Sequence, residues 1–185
     1  MLAKRQQSGF ALLIFVLLLI TMGAFVVSDY LVDAASEVKA KRYQKNQAIL
    51  NEAKQALLMY VYNYPLYKPD RGPGRLPCPD TDNNGIANAS AYCISGTPIV
   101  GRFPYKNPGL DLYDIKDVDG ERLWYAVSRN FANTGPAKIN SDTPGTITLV
   151  DQAGSVIYDG TTNGIAAIII APGAAITRDE DNNFL

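Results

Sequence analysis

Histidine is absent from the chain, cysteine occurs twice, and 17 Lys and Arg nearly balance 18 Asp and Glu. Without histidine, Ser-His-Asp and Cys-His catalysis are excluded, as is every His-ligated metal site. A formal charge of −1 over 185 residues argues against wrapping nucleic acid through phosphate contacts. No serine sits in a GxSxG elbow, and no glycine run builds a phosphate cradle. Paired acids could in principle cleave glycosides, but here they cluster beside Asn and Gly, which suits turns and cations better. The expectation is that the chain is not an enzyme.

What the sequence has is a concentrated apolar stretch. Gln6 to Ser28 carries no charge, and Phe10–Val27 is an almost unbroken apolar run of 18 residues, FALLIFVLLLITMGAFVV. As a helix it measures about 27 Å at 1.5 Å per residue, close to a bilayer core. Lys4 and Arg5 precede it, and Asp29 and Asp33 are the first charges after it. This asymmetry predicts a single pass through a membrane, with a cytoplasmic N-terminus and everything after Ser28 outside it. A cleaved secretory signal has a shorter apolar region; a plain anchor fits as well.

The order of residues adds a third reading. KRQQSG followed by FALLIFVLLLI resembles the class III signal of type IV pilins and type II secretion pseudopilins. That resemblance implies cleavage by a prepilin peptidase between Gly9 and Phe10, methylation of the new N-terminal Phe10, and a mature chain of 176 residues. The family usually carries Glu at the fifth mature position, where this chain has Ile14. A carboxylate in lipid needs a partner charge, which the resemblance implies is a neighbouring subunit's terminal amine. Ile14 offers no such pairing, which points to a minor pilin, or equally to an anchored protein that does not assemble.

Between Asp29 and Tyr64 there is neither Gly nor Pro, and strong helix formers dominate. Leu31, Ala34, Ala35, Val38, Ala48, Ile49, Ala53, Ala56, Leu57, Tyr60, Val61 and Tyr64 recur at helical spacing, one apolar stripe. Lys39, Lys41, Arg42 and Lys45 interrupt it as a solvated basic face. Pro65 predicts a stop near Asn63. Tyr60, Tyr62, Tyr64 and Tyr67 are expected where helix and head meet.

Residues 65–120 hold eight of the eleven prolines and read as a constrained loop region. Cys78 and Cys93, on the outward side of a membrane, predict one disulfide. Asp80, Asp82, Asn84 and Gly85 match the first half of a calcium loop, D-x-D-x-N-G. The twelfth position is Ala91, so an intact EF-hand is missing, and a turn that binds nothing has the same sequence. Asp111, Asp114, Asp117, Asp119 and Glu121 form a second acidic run, with Asp117 and Asp119 as candidate calcium ligands. Major pseudopilins carry a calcium loop in a comparable region, but its order does not map onto this one.

After Gly120 the texture becomes strand-like. Arg122–Ser128 is the first strand, and Thr146–Val150 and Ser155–Tyr158 form a hairpin around Asp151–Gly154. Gly164–Ala171, apolar throughout, is expected as a central strand. RLPCPDTDNNG, GRFPY and DGERLWYAVS together resemble blocks of pilin-like proteins of Gram-negative bacteria.

The expected fold is α+β: a long N-terminal helix, membrane-spanning in its first half, packed on a small antiparallel sheet as in a pilin ladle. Its segments are a leader (1–9), a transmembrane helix (10–28), its periplasmic continuation (29–64), the loop region (65–120) and the sheet (121–185). The expected function is that of a structural minor pilin or pseudopilin subunit, with sibling subunits, prepilin peptidase and the inner membrane as partners. The rival is a membrane-anchored, calcium-dependent binding module that never polymerises. Nucleic acid is not expected: residues 69–185 carry nine basic against fourteen acidic residues, net −5, unless Arg71, Arg75 and Arg102 converge.

Overall fold

In the computed structural model the stretch without Gly or Pro is helical. Helix α1 runs from Gln7 to Tyr67, and among the described residues five short strands follow: β1 (Ile99–Arg102), β2 (Trp124–Val127), β3 (Leu149–Val150), β4 (Val156–Tyr158) and β5 (Ala167–Ile170). The structure describes residues 7–88, 93, 99–110, 112–134 and 138–174; along α1 it describes the side chains of 10–24 and 34–67. Residues 1–6 of the expected leader, Asp111, and the tail from 175 lie outside the described residues. The chain divides into two units, Met1–Gln44 and Lys45–Leu185.

In the first unit every described side chain from Phe10 to Ala24 is exposed. Among the described residues no helix is long and apolar enough to cross a membrane. The expected membrane-spanning first half is therefore corrected, together with the ladle built on it and the single-pass placement in the inner membrane. Val38 is exposed, as are Lys39, Lys41, Arg42 and Lys45. Lys41 pairs with Glu37 one turn before it, at 2.6 Å.

The second unit builds its core from the C-terminal part of the helical stripe. Ala53, Ala56, Leu57, Tyr60 and Tyr64 are buried together with Leu76, Phe103, Tyr105, Leu110, Ile115, Leu123, Tyr125, Val127 and Ala132. Spacings of three and four residues put the helical members on one face. Tyr62 and Tyr67 fall off that face and are exposed. Pro65 does not end the helix. A proline so near the C-terminus forfeits a single N–H bond, and the Lys68 N–H donates to the Tyr64 carbonyl (3.0 Å) to close the last turn. The stop expected near Asn63 moves to Tyr67.

The expected single sheet is two. One has the order β1-β2-β5, all antiparallel; the other is the β3–β4 hairpin. β1 pairs with β2 in the register Arg102↔Trp124, Gly101↔Tyr125, and β2 with β5 in the register Trp124↔Ile170, Val127↔Ala167. β2 is thus the central strand, and β5, expected at the centre, lies at an edge. β1 lies inside the stretch expected to be loop, so the sheet does not begin at residue 121. Ser128, fully buried, ties the end of β2 to its neighbours. Its N–H donates to Ala166, its hydroxyl to the Ile165 carbonyl, and its oxygen accepts from the Thr146 N–H.

Cys78 and Cys93 form a disulfide, with Cα atoms 6.1 Å apart, and both sulfurs belong to the core. Close by, the Tyr125 hydroxyl donates to the Pro77 carbonyl at 3.1 Å, and burial pushes its pKa well above the usual phenol value, with Tyr60 adding to the rise. Closing a loop of about 15 residues is worth about 3 kcal/mol through the unfolded chain's lost freedom. Urea unfolding with and without reductant should differ by that amount, the reduced chain being the weaker.

Candidate functional site

The D-x-D-x-N-G segment folds as a turn wound around Asp80. The Asp80 side chain is buried, and its two oxygens accept the N–H groups of Asp82 (3.2 Å), Asn84 (3.3 Å) and Gly85 (2.6 Å). Asp82 in turn accepts from the Asn84 N–H and side-chain amide. Gly85 has φ +89°, and a Cβ there would stand 2.8 Å from the Tyr105 ring, so only glycine makes this turn without strain.

The second acidic run repeats the arrangement. One Asp117 oxygen accepts the N–H groups of Asp119 and Glu121, both at 2.9 Å, and the other accepts from Gly173 at 2.8 Å. Asp151 and Asp159 organise their own turns through N–H groups two or four residues ahead. In each case an aspartate oxygen takes the donors that a turn cannot pair within its backbone. Asp80, Asp82, Asn84, Asp117 and Asp119 thus belong to two such turns. Among the described residues no group of three acidic or cysteine side chains is placed to hold a metal.

Backbone pairing links the Asp80 turn to β1, β1 to β2, and the two sides of the Asp117 turn to each other. Asp80 pairs with Arg102, the N–H of each donating to the other's carbonyl (2.9 and 2.7 Å), and Lys116 bridges Arg122. Gly101 permits the first approach: a Cβ there would stand 2.5 Å from the Asp80 carbonyl oxygen. Between the turns lies a cavity of about 440 Å³ lined by Asn83, Arg102, Lys116, Gly120, Glu121 and Arg122. Acid-rich sequence has folded into a predominantly basic cleft.

Its three cations differ in their partners. Arg122 donates from Nε to Asp114 (2.9 Å), from Nη1 to both the carbonyl and side-chain oxygens of Asn83 (2.8 Å each), and from Nη2 to Asp114 and the Tyr105 hydroxyl. Those bonds hold Asn83 at φ 62°. Arg102 lies with its guanidinium carbon 4.2 Å from the centre of the Trp124 ring, the residue opposite it across the β1–β2 pair. Its Nη1 donates to the Arg122 carbonyl at 2.9 Å. Lys116 stands 3.5 Å from Asp114.

The three arginines weighed for nucleic acid do not meet. Arg102 lines this cleft, Arg71 lines a different pocket beside Tyr64 and Lys68, and Arg75 is buried, with Nη1 donating to the carbonyls of Asn130 and Ala132. Burial lowers the Arg75 pKa, Arg71 lowers it further, and Tyr64 partly opposes the fall. Sequence reading missed Arg102, Lys116 and Arg122 as a group, because 20 residues separate the first from the last. At the chain's other end, Gly9 and Phe10 lie in the opening turns of α1, with Phe10 exposed. No family model, no curated protein and no solved structure matches the chain.

Two measurements check the electrostatics. Because the Asp80 and Asp117 oxygens are engaged with N–H groups, thermal melting with chelator and with added calcium should coincide. A rise in Tm on adding calcium alone would place a cation in these turns. Burial pushes the Asp114 carboxyl up, but hydrogen bonding and the charge of Arg122, with Lys116 adding, hold it below the usual carboxylate range. Its contribution is therefore complete above about pH 4 and is lost as pH falls through the lowered value. Asp114→Asn should be less stable than the parent at pH 7, and the gap should close as pH falls below about 4.

Proposed function

We propose that the chain is a structural subunit of a pilin- or pseudopilin-type assembly, cut after Gly9 by a prepilin peptidase and joined to its siblings through the apolar part of α1. The observation carrying this reading is the run Phe10–Ala24, in which every side chain is exposed and none is charged. A helix that is apolar all round calls for burial against something else. Phe10, Phe15 and Ile20 each leave more than three-fifths of their surface open, and covering one such side chain is worth about 1.5–3 kcal/mol. Sibling helices of the same composition provide that cover along their whole length, through close van der Waals fit. Ile14 lies within this surface, so its place among the packed side chains is apolar rather than charged.

The second unit supplies what an assembled subunit presents outward. Its core uses helical residues from Ala53 onward, and Phe10–Ala24 belongs to the other unit.

Mass spectrometry of the chain from a host with active prepilin peptidase should give 176 residues starting at methylated Phe10. Sedimentation should show assemblies that Leu17→Lys and Ile20→Lys together return to monomer. An uncut, monomeric chain overturns the reading and suits a binding module that does not polymerise.

A further inference from the structure

We propose that the cleft between the Asp80 and Asp117 turns binds a small oxyanion, a carboxylate or phosphate group, held by Arg102 and Lys116. The inference does not depend on how the chain assembles. It rests on a division of labour among the cleft's cations. Arg122 is saturated: Asp114, Asn83 and Tyr105 accept from all of its side-chain nitrogens. It forms a wall. Arg102 has one nitrogen committed, to the Arg122 carbonyl. Among the described residues none accepts from its Nε or Nη2, the edge of a guanidinium that can grip two oxygens at once.

Arg102 is also held in place before any ligand arrives. Its backbone is paired on both sides, with Asp80 through the bridge and with Trp124 through the β1–β2 register. Its guanidinium rests on the Trp124 ring, a contact that fixes the plane without using an N–H donor. Asp114 lies closer to Arg122, at 2.9 Å, than to Lys116, at 3.5 Å. Lys116, about half exposed, can therefore swing towards an incoming anion at little cost.

Charge favours capture at short range only. Arg102, Lys116 and Arg122 line the cleft with Glu121, Asp114 lies beside Lys116 and Arg122, and the charge of Asp80 also acts on Arg122. Residues 69–185 are net −5, so no long-range field draws anions in. Binding comes from charge-assisted hydrogen bonds formed inside the cleft. Its volume of about 440 Å³ falls within the range of small-ligand sites.

The chain has a single tryptophan, and it is the ring beneath Arg102. Trp124 fluorescence therefore reports directly on the cleft. The full chain is titrated with sodium phosphate and, separately, sodium acetate at constant ionic strength. A saturating change is expected with at least one of them, weakened at least tenfold in Arg102→Gln and in Lys116→Gln and unchanged in Lys138→Gln. Saturation by phosphate alone assigns the site to phosphate groups, and saturation by acetate alone to carboxylates. No saturation with either salt, or saturation equal in the parent and Lys116→Gln, overturns the proposal. Lys116→Gln decides even if Arg102→Gln fails to fold, because Lys116 is exposed and makes one loose ion pair.

Discussion

The carboxylate of Asp80, closed around three backbone N–H groups, is the contact on which the second unit's geometry depends. Strands are few and short there, and long connections must be held by something other than ladders. A loop bends at the cost of unpaired N–H groups. An aspartate at the right place answers several of them with one side chain. Asp80 then anchors its turn to β1 through the Arg102 bridge, while Asp117 anchors the facing turn and reaches Gly173. The disulfide at Cys78 fixes the chain two residues before Asp80. Core, staple and turn are thus consecutive along a few residues.

This arrangement reverses the electrostatic sense of the sequence. Aspartates that look available for a cation are turned to their own backbone, and the basic residues between them meet across the space left over. The cleft's character follows from backbone pairing. Two bridges and one strand register bring Arg102 from β1, and Lys116 and Arg122 from the two sides of the Asp117 turn, to a common cavity.

How far the sequence can be read depends on the range of the interaction. The stripe Ala53, Ala56, Leu57, Tyr60 and Tyr64 was legible because helical periodicity is local and its partners are all apolar. The β3–β4 hairpin was legible in Asp151–Gly154, and the disulfide in the cysteine count. Pro65 was misleading because its cost depends on how many N–H bonds follow it. β1 was hidden between Pro98 and Pro104, and β5 was mistaken for a central strand because apolar content alone does not tell centre from edge. The D-x-D-x-N-G motif is ambiguous at a deeper level: oxygen at alternate positions with a glycine suits a cation and a ring of N–H donors alike. Arg102 stacked on Trp124 was beyond sequence reading altogether, since only the register makes them opposite.

That register has a further consequence. Along β1 and just beyond it, Gly101 and Phe103 are buried while Arg102 points to the half-exposed side. Alternation along a strand means that slippage by one position exchanges the two faces. Phe103 would then lie in water and a guanidinium among Tyr125 and Leu123, where an uncompensated charge is prohibitive. The same arginine therefore disfavours any pairing of β1 that is shifted by a single residue, because the charge that the aligned strand displays would then be buried.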